Sequence, residues 1–208
     1  MHIAIFLFDG ITALDAIGPY ASLTRLPQVQ IQFVGKQAGL VRAGDGFLGL
    51  QADAGIGDEP AADMLLIPGG AVDSVMEDAA VQDWIRRADR TSQWTTSVCS
   101  GSLILAAAGI LAGRTAATHW ARKRQLEELG VRYSPERVVI DGKYVTSAGV
   151  SAGIDMGLVL CEMIAGRAVA EAVQLSMQYD PQPPFDCGDP ERSATPERLQ
   201  ILRSQLRI

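Results

Sequence analysis

The chain has 208 residues, 48% apolar and 20% charged, which suits one domain or one domain with small additions and allows a sizeable buried core. Eighteen basic residues against 24 acidic ones leave a net charge of −6 with no Lys/Arg block, which argues against nucleic acid as a partner. No basic leader opens the chain, no apolar run reaches membrane-spanning length, and the three cysteines at 99, 161 and 187 form neither a paired framework nor a C-x-x-C, so a reducing cytoplasm without a membrane partner is the expected setting.

Ile3 to Phe8 is a continuous apolar run, the pattern of a strand buried on both faces in a parallel sheet. Asp9-Gly10 ends it, and residues 11–19 read as a loop leading into a helix, with Pro19 near the helix start. Gln30 to Val34 reads as a second strand, and Val41 to Gln51, with Ala43-Gly44-Asp45-Gly46-Phe47 inside it, as a hairpin. Met64 to Ile67 is another buried strand, stopped by Pro68-Gly69-Gly70. A helix over Val81–Arg90 follows, with Trp84, Ile85 and Ala88 on one side. Thr115 to Thr118 reads as a short strand, and His119-Trp120 leads into a helix ending near Leu129 and Gly130. Arg137–Ile140 and Tyr144–Ser147 form a hairpin around Asp141-Gly142. Helices are expected from Gly149 to about Ala165, over Ala168–Gln178, and over Pro196–Leu206. The alternation implies an α/β fold with a mostly parallel sheet and helices on both faces. Asp15, Gly69-Gly70, Cys99 and Gly149-Val150 each follow a predicted strand, so all four are expected to converge at the carboxyl ends of the strands.

Residues 95–108 carry the strongest chemical signal. Thr95 to Val98 favours a strand, Cys99-Ser100-Gly101-Ser102 turns, and Leu103 to Ala108 favours a helix. A cysteine at such a corner resembles a nucleophile elbow, and the adjacent helix start predicts thiolate character and exposure. Cys161, within Leu158-Val159-Leu160-Cys161, reads as core, and Cys187 lies in a Pro-rich loop. Asp15 lies between apolar Leu14 and Ala16. It is either a turn former or cap, or a partly buried carboxyl with a raised pKa suited to proton exchange. His119 is a possible partner twenty positions after Cys99; with His2 the only other histidine, zinc ligands are few. Ser100 and Ser102 lack a Gly-x-Ser-x-Gly setting, and Ser100 suits a hydrogen bond to a neighbouring sulfur or carboxylate. Gly69-Gly70 leaves backbone N–H groups open to a ligand, or is only a turn.

Thr96-Ser97-Val98-Cys99-Ser100-Gly101-Ser102, Ile67-Pro68-Gly69-Gly70 and Leu14-Asp15-x-x-Gly18-Pro19 resemble the DJ-1/PfpI superfamily. Thr118-His119-Trp120-Ala121, Ala152-Gly153-Ile154-Asp155 and Tyr179-x-Pro181-x-Pro183-Pro184-Phe185 make the resemblance strongest to its isocyanide hydratase branch, from Ile3 to about Asp189. The resemblance implies a flavodoxin-like three-layer sandwich over residues 1–190, with 191–208 a C-terminal extension packed on the same domain or on a dimer partner. It implies a homodimer, an isocyanide substrate and no cofactor or metal. Cys99 would be the nucleophile and Asp15 the general acid and base, with Gly70, Ser100 and Val150 as binding and charge-stabilising residues. Ser100 stands where the protease-like and glyoxalase-like branches place His and isocyanide hydratases commonly have Thr. Other readings are a glyoxalase or thiol hydrolase of the same superfamily and a cysteine-based redox or small-molecule sensor. Regulators that share such a domain add a helix-turn-helix module, for which the nineteen residues after Asp189 are too few.

Overall fold

The computed structural model describes residues 1–44, 46–58 and 61–205. The elements in order are β1 (His2–Leu7), α1 (Ala13–Leu23), β2 (Gln30–Gly35), β3 (Gly39–Ala43), β4 (Leu48–Ala52), β5 (Ala54–Gly55) and β6 (Met64–Ile67). Next come α2 (Asp73–Met76), α3 (Ala79–Thr91), β7 (Trp94–Val98), α4 (Gly101–Ala107) and β8 (Thr115–Ala116). A single 3₁₀ turn (Trp120–Arg122) precedes α5 (Lys123–Glu128), β9 (Arg132–Tyr133), β10 (Val138–Asp141), β11 (Tyr144–Ser147), α6 (Ala152–Ala165) and α7 (Arg167–Ser176). The chain divides into two compact units, Met1–Met177 and Gln178–Ile208. The boundary expected after residue 190 falls inside the second, which carries α8 (Pro190–Ser193) and α9 (Pro196–Gln205). Asp45 of the expected hairpin turn and Leu206 of the expected terminal helix lie outside the described residues.

The first unit is a seven-stranded sheet in the order β10-β11-β7-β6-β1-β2-β5, parallel except for the edge strand β10, which pairs antiparallel with β11. Ile3, Ile5, Leu7 and all of Met64–Ile67 are buried because both faces of these central strands are covered, which is why they read as unbroken apolar runs. Thr95 meets Asp89 of α3, whereas Val98 lies against Gly153 of α6; three residues apart on one strand, they point to opposite faces. Helices α2–α5 therefore form one layer and α1, α6 and α7 the other, a flavodoxin-like three-layer sandwich as expected.

Local sequence explains the flanking helices. Asp78 caps α3 by accepting from the Ala80 and Val81 N–H groups, and Val81, Trp84 and Ile85 bury one stripe of it. On the other face, α1 and α6 meet through small residues: a β-carbon at Gly157 would lie 3.0 Å from the Pro19 Cα, and one at Gly18 would lie 3.1 Å from Ile154. At the amino end of the sheet Asp89 accepts from the Thr95 hydroxyl at 2.7 Å and the Tyr144 hydroxyl at 3.2 Å and pairs with Lys143 at 3.0 Å, tying α3 to β7 and β11. The opposite, carboxyl end is left free to build a site.

One local expectation is corrected. Pro19 lies inside α1, and Asp15 is a helical residue and not part of a loop. The proline is tolerated there at the loss of one backbone bond, because Asp15 has no N–H four residues ahead to accept from.

Candidate active site

The strand order reverses around β1: β2 follows on one side and β6 returns on the other, so the loops after β1 and β6 diverge and leave a crevice. Four strand ends meet there. The first supplies Asp15, the second Gly69 and Gly70, the third Cys99 and the fourth the turn from Ala148 to Ser151. The convergence expected from the sequence is present.

Cys99 occupies the corner between β7 and α4 with φ at 59°, a left-handed conformation rare for a residue with a β-carbon. The surroundings enforce it. Its N–H donates to the Ala148 carbonyl at 3.0 Å and the Ser147 carbonyl at 3.2 Å, while its own carbonyl accepts from the hydroxyls of Thr118 at 3.2 Å and Ser102 at 3.3 Å. Gly101 has to be glycine, since a β-carbon would lie 2.1 Å from the Ile67 carbonyl oxygen. The backbone N–H groups of Ser100 and Val150 face the sulfur.

The carboxyl of Asp15 is fully buried. Gly69 N–H donates to its Oδ2 at 3.0 Å, and Oδ1, equally buried, has no hydrogen-bond partner among the described residues. A β-carbon on Gly69 would lie 2.6 Å from both the nitrogen and hydroxyl of Ser100 and 2.9 Å from Asp15 Oδ2, so only glycine lets these three groups approach. Ser100 Oγ accepts from Gly70 N–H at 3.0 Å and donates to the Gly70 carbonyl at 3.2 Å. The Gly70 N–H, expected to face a ligand, is thus engaged by that hydroxyl.

The electrostatics reverse one expectation. Cys99 is 6% exposed, and its pKa is pushed up to about 12, first by burial and then by the neighbouring Asp15 charge; the donors from Ser100 and Val150 oppose this only in part. A short helix start does not outweigh loss of water, so the resting group is a thiol and the predicted depression does not occur. Asp15 is raised to about 7 by burial, with the Gly69 N–H and the Cys99 thiol lowering it against that trend. The pair therefore holds both protons below about pH 7 and one between about pH 7 and about 12.

His119 lies at the edge of this arrangement. Its Nδ1 accepts from Ala121 N–H at 3.4 Å, and burial and Arg122 lower its pKa, which assigns a neutral ring with the proton on Nε2. Cys161 is fully buried in α6, as expected, and Cys187 is exposed. Thr118 and the Ala148 carbonyl were not singled out from the sequence; the hydroxyl before His119 was the one available sign.

The DJ-1/PfpI family profile matches residues 1–163. The chain belongs to the DJ-1/PfpI family. Among DJ-1/PfpI relatives, an isonitrile hydratase of Pseudomonas putida is 42% identical over 192 residues, covering 92% of this chain and 84% of that protein. The crystal structure of a ThiJ/PfpI family protein from Pseudomonas syringae superposes with a TM-score of 0.91 at 33% identity, over 97% of this chain and 84% of that one. Drosophila melanogaster DJ-1beta shares the fold alone, with a TM-score of 0.77 at 20% identity over 86% of this chain and 98% of that one.

Proposed function

We propose that the protein is an isocyanide hydratase, adding water to R–N≡C to give the N-formamide R–NH–CHO. The observation that carries the reading is the buried Asp15 carboxyl beside the left-handed Cys99 corner, its Oδ2 held by the Gly69 N–H and its Oδ1 without a hydrogen-bond partner among the described residues. The P. putida relative, an isonitrile hydratase by name, supports the same chemistry.

In this reading an isocyanide enters and the thiol proton moves from Cys99 to Asp15. The thiolate sulfur bonds to the terminal carbon, and Asp15 returns the proton to that carbon, leaving a neutral thioimidate, Cys–S–CH=N–R. Asp15, again a carboxylate, takes a proton from water as the oxygen bonds to the same carbon. Asp15 passes that proton to the nitrogen, giving Cys–S–CH(OH)–NH–R; the C–S bond then breaks as the hydroxyl of the adduct gives its proton through Asp15 to the leaving thiolate, and the formamide R–NH–CHO departs. The N–H groups of Ser100 and Val150 stabilise the sulfur whenever it carries charge. Gly70 and the Ser100 hydroxyl hold the turn that faces the developing charge. No step calls on a metal or an organic cofactor.

The same reading makes the protein a cytoplasmic homodimer. Leu14 and Leu40 are among the exposed apolar residues, and among the described residues no helix is long and apolar enough to cross a membrane. The deciding experiment incubates the protein with an alkyl or aryl isocyanide and follows N-formamide by mass. Product that depends on Cys99 supports the assignment; product no greater than from Cys99→Ala removes it.

A further inference from the structure

The turn that carries the Val150 amide is held by two residues outside the thiol–carboxyl pair. The Arg137 guanidinium pairs with Asp155 at 2.6 Å and donates to the Ser151 hydroxyl at 3.2 Å, while the Arg137 carbonyl accepts from Ala148 N–H at 3.0 Å. One residue therefore grips the segment on both sides of Val150. The His119 ring rests on Gly149: a β-carbon there would lie 3.0 Å from its Cδ2 and 3.6 Å from Nε2. The carbonyls of Ser147 and Ala148 accept from the Cys99 N–H, so the same segment also sets the cysteine backbone.

We infer that Arg137 and His119 are positioning residues that clamp the Gly149–Ser151 turn and thereby hold the Cys99 corner, whose N–H is bonded to the Ser147 and Ala148 carbonyls of the same segment. Arg137 is half-exposed and acts through Ser151 and Asp155; it touches neither the sulfur nor the carboxyl. A bidentate guanidinium can bridge two partners at fixed spacing, and a lysine ammonium does so poorly. His119 acts by shape, filling the space that the absence of a side chain at Gly149 creates. The inference rests on the reading of Cys99 as the nucleophile.

The test is the pH–rate profile for alkylation of Cys99 by iodoacetamide, read by mass for each cysteine, with exposed Cys187 as the internal standard. Arg137→Met loosens the segment that holds the Cys99 corner, disfavours the thiolate and moves the Cys99 midpoint up, slowing alkylation about tenfold below that midpoint, with Cys187 and the urea midpoint unchanged. Arg137→Lys falls between the two. Gly149→Ala produces the same displacement, and adding His119→Ala restores it by returning the space. A wild-type midpoint in both Arg137→Met and Gly149→Ala overturns the inference, as does a change that Cys187 shares. Failure of His119→Ala to restore Gly149→Ala removes His119 from the clamp. Alkylation needs no isocyanide: shifted profiles in a protein that makes no formamide retire the hydratase reading alone, and formamide formation with unshifted profiles retires the clamp alone.

Discussion

Replacing Asp15 with asparagine tests the buried carboxyl through stability. The carboxyl is raised from 3.8 to about 7 by burial. Between those pH values the folded protein keeps a proton that the unfolded chain has released, so this group makes stability fall as pH rises through the window. The displacement corresponds to about 4 kcal/mol at full expression, and to about half that if the surroundings relax around the charge. The asparagine amide has no such titrating proton, and its oxygen can still accept the Gly69 N–H. Asp15→Asn is therefore close to wild type at about pH 4 and more stable than wild type by about 2–4 kcal/mol at about pH 8. The assay is urea unfolding of both proteins at the two pH values, in a Cys99→Ala background that removes coupling to the thiol. With a slope of about 2 kcal/mol per molar urea, the gain appears as a midpoint shift of about 1–2 M at the higher pH. An equal difference at both pH values, or a less stable variant at the higher one, would refute the burial argument. In the Cys99 protein the same substitution should slow turnover by orders of magnitude, since the amide neither accepts nor returns a proton.

Two further outcomes are expected. Gly69→Ala places a β-carbon 2.6 Å from the Ser100 nitrogen and hydroxyl, so it should destabilise by about 1–3 kcal/mol and separate Asp15 from the turn; wild-type thermal stability together with wild-type turnover would show that the approach is not tight. Native-state labelling near neutral pH should modify exposed Cys187 first, Cys99 slowly and buried Cys161 last; a burst at Cys99 equal to that at Cys187 would contradict both its burial and its raised pKa.

Much of the architecture was legible from burial periodicity. The runs at Ile3–Phe8 and Met64–Ile67 announce strands covered on both faces, and the Asp141-Gly142 turn places the β10–β11 hairpin. The β-branched entry to Cys99 and the Leu/Ala exit from it mark the corner where the left-handed residue lies. What stayed hidden has identifiable causes. Strands β5 and β9 are two residues each, too short for any period to register. Pro19 obeys a positional preference that tertiary packing overrides, with Gly157 of α6 fitted against it. The sign of the Cys99 perturbation depends on desolvation, which three-dimensional enclosure sets and local sequence does not. The Arg137 contacts to Ser151 and Asp155 join residues whose proximity only the folded chain creates.

The fixed donors to Asp15 and to the Cys99 sulfur include main-chain amides, those of Gly69, Ser100 and Val150. An amide cannot be deleted by exchanging a side chain, except for proline, so this part of the machinery is encoded in backbone shape. Drift at the pocket walls can then alter which molecules enter while leaving the proton-handling apparatus intact. A scaffold wired this way can acquire new substrates without first rebuilding its chemistry.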